Sequence, residues 1–257
     1  MSGADESRRR VALLLASGAG VAGLLLRGGA FAAGLSCERA PRETPGPFPG
    51  NGTNSNAGRV VNALADDGIV RSDIRSSFGR STARAPGVPL ELTLTLRDAK
   101  RGCTPLAGHA IHLWHADRRG EYSLYQGQAE RENYLRGVQV TDAQGRARFV
   151  TIYPSCYGGR YPHIHFEVFR PMTGGFHATD VASHRTFVSQ VAMPADPCLD
   201  VYRHAEGYEG SRDNFARMRF DTDGVFRDNT PAQREAMTPQ LRGTSSFGFT
   251  GTVAIAI

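Results

Sequence analysis

Residues 88–98 read VPLELTLTLRD. Val88, Leu90, Leu92, Leu94 and Leu96 fall on one side of the alternation, and Glu91, Thr93 and Thr95 on the other. A period of two is the spacing of an extended strand with one buried and one wetted face. HAIHLWHAD (109–117), GVQVTD (137–142), ARFVTIYP (147–154), HIHFEVFR (163–170), TFVSQVAM (186–193) and FGFTGTVAIAI (247–257) are further strand candidates. Turn-forming stretches such as DAQGR and RPMTGG separate them. Seven strands at short spacing, with hardly any helix, predict an all-β fold: an antiparallel β-sandwich with long loops.

Ahead of the strands the composition changes. Residues 38–85 are rich in Pro, Gly, Asn and Ser, as in TPGPFPGNGTNSNAG (44–58), which predicts an irregular N-terminal arm with one short helix in RVVNALADDG (59–68). Still earlier, adjacent arginines precede an apolar stretch from Val11 to Leu26 and a small-residue site at Ala30-Phe31-Ala32. That pattern is an export signal of the twin-arginine type, interrupted by too many glycines for a stable membrane anchor. The expected organisation is a signal over 1–32, the irregular arm over 33–86 and the sandwich over 87–257, with export to a periplasmic or extracellular compartment and no stable membrane span after processing. In an oxidising compartment Cys37, Cys103, Cys156 and Cys198 permit two disulfides in any of three pairings, or one bridge and two thiols. The formal charge of +5 comes from dispersed arginines without a basic block, so nucleic acid is not an expected partner.

The donors crowd into YPSCYGGRYPHIH (153–165). On a strand the imidazoles of His163 and His165 share a face, with Ile164 opposite, so two neutral nitrogens can converge on one point. Tyr157, held by a glycine-rich turn, adds a phenol, which as phenolate is a hard anionic ligand suited to a trivalent ion such as ferric iron. A phenol titrates near pH 10, so ionising it at neutral pH needs a cation. A second phenol is offered by WHADRRGEYSLY (114–125), through Tyr122 or Tyr125; periodicity does not choose between them.

In these motifs the chain resembles the intradiol ring-cleavage dioxygenases, most closely exported relatives of the protocatechuate dioxygenase branch. RSDIR, GVPLELTLTL, LAGHAIHLWHADRRGEYSLY, YLRGVQVTDAQGRARFVTIYP, YGGRYPHIHFEVF and SQVAMPADP carry the resemblance, from about Cys37 to Pro197. It implies a non-haem Fe(III) bound by Tyr122, Tyr157, His163 and His165, with Tyr157 and His165 opposite each other and Tyr157 displaced by substrate. It implies a catalytic role for Arg160 and a supporting one for Gln190. Gly46, Pro47 and Phe48 of TPGPF would roof the pocket, and Ile152 and Tyr153 would shape it. The implied reaction opens a catechol-type ring with O2 between its two hydroxylated carbons, giving a cis,cis-muconate-type diacid. A small aromatic diol and O2 are then the expected partners, and a homo-oligomer is compatible with the arm.

Other histidines have plainer readings. His112 shares its strand face with Ala110 and Trp114, while His109 and His115 point the other way; all three, with His177, His184 and His204, read as structural or surface residues. DTDG (221–224) lacks the later Glu of a calcium loop and reads as a turn. Two rival functions are an exported sandwich acting as a binding module, and an exported metalloenzyme of another class. The first predicts no metal; the second wants a carboxylate or a third histidine at the site.

Overall fold

The leucine alternation of 88–98 becomes the central strand of one of two packed sheets. The computed structural model describes residues 37–177 and 181–257, so the expected signal lies outside the described residues. The strands are β1 (Asn51–Asn56), β2 (Arg59–Asn62), β3 (Pro89–Asp98), β4 (Thr104–Pro105), β5 (Ala110–Trp114), β6 (Arg136–Val140), β7 (Arg146–Ile152), β8 (His163–Phe169), β9 (Arg185–Ala192), β10 (Gln240–Thr244) and β11 (Gly248–Ala256). One sheet runs β10-β11-β3, with β7 and the short β4 paired to β3; the other runs β6-β5-β8-β9. All pairings are antiparallel except β3 with β11, which is parallel. The sandwich is thus as expected, with one parallel pair that strand alternation does not reveal.

Leu90, Leu92, Leu94 and Leu96 of β3 pack against Ile111 and Leu113 of β5, Ile164, Phe166 and Val168 of β8, and Phe187 and Val191 of β9 in the main core. Each such side chain, fully buried, contributes about 1.5–3 kcal/mol against exposure. Strand β8 is buried along its whole length, polar residues included. Ile164, Phe166 and Val168 face the other sheet, so His163, His165 and Glu167 lie on the outer face of the β6-β5-β8-β9 sheet. The arm and two long loops cover that face.

The arm is less irregular than its composition suggests. RVVN is a strand and not the expected short helix, because Ala57 and Gly58 both adopt positive φ (47° and 77°) and close a two-residue hairpin between β1 and β2. Ala63–Ala65 then forms a single 3-10 turn. The Cys37–Cys103 disulfide ties the start of the arm to the β3–β4 turn, while Cys156 and Cys198 are buried thiols.

The helices are few and lie mostly after β9. After the single turn α1 (Val181–His184), helices α2 (Ala195–His204), α3 (Glu209–Phe215) and α4 (Pro231–Met237) follow β9. Their signals are local: Asp196 in the first turn and Arg203 and His204 in the last suit the dipole of α2. Thr230 and Gln233 form a capping box around Pro231 in α4. Among the described residues no helix is long and apolar enough to cross a membrane.

Candidate functional site

Strand register lays one row of side chains across the outer face: Arg136 of β6 opposite Trp114 of β5, Trp114 opposite His165 of β8, and His165 opposite Gln190 of β9. Trp114 is fully buried and stacks on His165 at 5.0 Å between ring centroids; His112 stacks on its other side at 4.8 Å. His163 stands edge-on to His165, with centroids 4.6 Å apart. Its Nδ1 lies 2.6 Å from the Tyr161 carbonyl oxygen, a contact that requires the proton on Nδ1 and leaves Nε2 with a bare lone pair.

Two loops bring the phenols to these nitrogens. In the first, Asp117 Oδ1 accepts from the amides of Arg119 and Glu121, and Gly120 takes φ 90°, so the chain reverses and presents Tyr122. In the second, the glycine-rich turn after Cys156 presents Tyr157. Tyr122 Oη lies 3.0 Å from His165 Nε2, 3.4 Å from His163 Nε2 and 3.2 Å from Tyr157 Oη. Tyr157 Oη lies 3.2 Å from His163 Nε2, and the two Nε2 atoms are 3.0 Å apart. Of the six pairs among these four atoms, Tyr157 with His165 is the one outside hydrogen-bonding geometry.

Four atoms each about 2.0–2.2 Å from one centre would have edges of about this length. The donor chemistry fits a hard cation as well. Burial, reinforced by the neighbouring Tyr157 phenol, holds Tyr122 well above the usual phenol range, and burial raises Tyr157. Burial lowers His163 and His165 well below the ordinary imidazole value, with Arg160 adding to the shift in His163 and the His163 ring in His165. The unassisted set is therefore neutral, and only an added cation would favour its phenolate form.

Around the donors, Arg160 Nη1 lies 3.4 Å from His163 Nε2. Arg160 Nη2 donates to Gln190 Oε1 at 2.6 Å, and Gln190 Nε2 donates to the Thr44 carbonyl at 2.8 Å, so both residues expected beside the site are there and one of them grips the arm. Gly46 packs so closely that an added Cβ would stand 3.3 Å from His165 Cε1. The Phe48 ring lies 5.2 Å from that of Tyr122, and the exposed Pro47 is held through its carbonyl by Asn54. Tyr125 does not join the donors; its hydroxyl accepts from the Gly50 amide and donates to Asn54 Oδ1.

Ile152 and Tyr153 are corrections. Ile152 packs with Ala85, Ala129, Tyr134 and Leu135, and Tyr153 lies in the inter-sheet core with its hydroxyl 3.1 Å from Cys198 Sγ. Ile152 ends β7 and Tyr153 follows it, and the side chains that each packs with do not include the donor cluster. His112 and His115 are both buried and structural: His112 pairs with Glu167, and His115 lies between the Ala116 carbonyl and Thr151 Oγ1.

Three contributors escaped sequence reasoning. Trp114 sets the plane of His165. Arg136, 1% exposed, donates to the carbonyls of Phe48, Pro49 and Ser123 and to Ser123 Oγ, joining the arm to the Tyr122 loop. Asp223 accepts from Arg160 Nε at 3.0 Å. The alternation Arg136, Val138 on β6 was legible; the partners of these residues were not.

Comparison with known proteins bears on this arrangement. A family model described as Dioxygenase matches residues 75–205. The protocatechuate 3,4-dioxygenase beta chain of Burkholderia cepacia is 32% identical over 151 residues, covering 53% of this chain and 60% of that one. Catechol 1,2-dioxygenase 1 of Acinetobacter lwoffii is 31% identical over 100 residues, covering 38% of this chain and 29% of that one. The chain thus spans less than two thirds of the length of either relative. Among solved structures, an intradiol ring-cleavage dioxygenase from Tetranychus urticae shares the fold with a TM-score of 0.64 at 22% identity, over 86% of this chain and 95% of that one.

Proposed function

This chain belongs to the intradiol ring-cleavage dioxygenase family, and from that premise we propose that it opens a catechol-type ring between its two hydroxylated carbons with O2, on a non-haem ferric ion, to a cis,cis-muconate-type diacid. The observation that carries the proposal is the meeting of two phenol oxygens and two imidazole nitrogens at 3.0–3.4 Å with a guanidinium beside them. Tyr122, Tyr157, His163 and His165 would hold the ion. Bound there, a ferric ion supplies the charge that ionises phenols and diol alike and renders the bound ring reactive toward O2.

The remaining steps fall to the chain. His163, fixed in its tautomer by the Tyr161 carbonyl, offers a permanent lone pair. Tyr122 is buried while Tyr157 is partly exposed, so Tyr157 is the phenol free to swing out, and its oxygen is the base placed to take a diol proton. Arg160 stabilises negative charge that grows on the ring, an effect strengthened where Phe48 and the arm exclude water. Gly46 leaves room for the arm to lie directly on His165.

Export of the chain is part of the same proposal, supported by the Cys37–Cys103 disulfide, since such bonds persist in oxidising compartments. The test is oxygen uptake by ferric-loaded protein over a panel of substituted catechols, with product identification to separate cleavage between the hydroxylated carbons from cleavage beside them. Iron bound near one per chain, a visible tyrosinate-to-iron absorption weakened or shifted by Tyr157→Phe, and a muconate-type product are expected. Loaded protein that consumes no oxygen with any diol would refute the assignment.

A further inference from the structure

Asp223 lies beyond the span matched by the family model, in a turn between α3 and α4, and it is fully buried. Its Oδ1 accepts from the amides of Val225 (2.7 Å) and Phe226 (3.1 Å). Its Oδ2 accepts from the amide of Tyr161 (2.6 Å) and from Nε of Arg160 (3.0 Å). Four donors thus fall on two oxygens, an arrangement only an acceptor-only group satisfies; an amide of the same shape would turn its NH2 toward two N–H groups. Asp221, two residues earlier in the same DTDG turn, is exposed.

The consequence lies in the guanidinium. Arg160 Nε is held by Asp223 and Nη2 by Gln190, while the Phe226 ring lies 5.4 Å from Cζ. With Nε and Nη2 so engaged, the third nitrogen, Nη1, lies 3.4 Å from His163 Nε2. A planar fork held at two nitrogens has its third direction determined, whereas an unheld arginine samples many rotamers.

We propose that Asp223 is a positioning residue for ring cleavage, clamping Arg160 so that Nη1 faces the substrate ring. The proposal rests on the dioxygenase function above. It gives the segment after α3, which the family match does not reach, a part in the site.

The experiment compares the ferric-loaded full chain with Asp223→Asn, Arg160→Ala and the double variant on whichever diol the wild type turns over. Asp223→Asn is expected to leave visible absorption and iron content unchanged, and to lower kcat about 100-fold with KM moved less than about threefold. In the Arg160→Ala background the same substitution should change kcat by less than about threefold, because the group it positions is gone. Factors that multiply instead would overturn the proposal and leave Asp223 as a loop cap. A second measurement needs no turnover: the Nε–H resonance of Arg160 in labelled protein, assigned by its loss in Arg160→Ala, should exchange with water at least about tenfold faster in Asp223→Asn. Unchanged exchange also overturns the clamp, and since it is read without substrate, it separates this failure from failure of the dioxygenase function. Should Asp223→Asn not fold, Arg160→Lys tests the same contact. An ammonium drawn to Asp223 cannot also face the ring, so kcat should fall as far as in Arg160→Ala; kcat within threefold of wild type contradicts the clamp.

Discussion

Trp114 lies flat against His165, with the two ring planes 4° from parallel. His112 covers the other indole face, and Glu167 holds His112 through Nδ1, so a carboxylate, two imidazoles and an indole form one buried pile ending at the donor cluster. Trp114→Ala should cost about 3–5 kcal/mol of stability. It should also free the His165 ring to rotate and weaken ferric binding about 10–100-fold. Trp114→Phe, which keeps a stacking face, should recover most of the metal affinity. Equal affinity in Trp114→Ala, measured by competition with a chelator, would show that the stack does not orient the ligand.

Gly120 and Tyr157 fix the approach of the two phenol-bearing loops. At Gly120 φ is 90°, and an added Cβ would stand 3.0 Å from Cβ of Tyr157. Gly120→Ala should therefore cost about 1–2 kcal/mol of backbone strain and push Tyr157 outward. The expected result is a lowered urea midpoint together with a shifted visible absorption. A shift in midpoint alone would mean that the loops separate without disturbing Tyr157.

Arg136 is a buried cation whose four hydrogen-bond acceptors are uncharged. Burial lowers its pKa to about 10, so it remains charged at neutral pH. Arg136→Met removes the donor common to Phe48, Pro49 and Ser123 and should cost about 3 kcal/mol or more, because the buried acceptors are left unpaired. The arm over residues 44–50 should become the first site cut in limited proteolysis. Wild-type cleavage kinetics would show that the arm is held elsewhere.

His115 should make the fold acid-sensitive. Burial lowers its pKa to about 4 from an ordinary value near 6.5. The unfolded chain then takes up the proton more readily than the folded one, so the stability from neutral His115 is complete above pH 6.5 and is lost as pH falls toward 4. At one pKa unit per 1.36 kcal/mol the share at stake is about 3 kcal/mol. Urea unfolding of His115→Gln should show a shallower loss between pH 6.5 and 4 than the wild type. Parallel curves would place the acid sensitivity in other groups.

Much of this was legible along the chain because strand alternation is a local property. The leucine face of β3 and the shared face of His163 and His165 follow from a period of two, and Tyr157 stands out by the glycines around it. The hairpin at Ala57 and Gly58 was missed because apolar residues in RVVNALADDG suit a helix until the turn before them is known. The helices after β9 carry readable caps, yet α3 and α4, at 7 residues each, are too short for a helical period to stand out. Ile152 and Tyr153 precede Tyr157 closely in sequence, yet Ile152 packs beside Tyr134 and Leu135 and Tyr153 in the inter-sheet core, partners that only the fold decides.

By itself the sequence determined which residues share a strand face and which donor types the chain brings to its central motif, since both depend on steric rules acting over a few neighbouring residues. Tertiary structure alone decided that the outer face of the β6-β5-β8-β9 sheet would be the covered one. It also decided that Cys37 would pair with Cys103, and that Arg160 would be gripped by Asp223 sixty-three positions away. Those outcomes depend on which distant surfaces bury each other. Burial turns an exposed histidine pair into a low-dielectric site, and no periodicity along one chain encodes it.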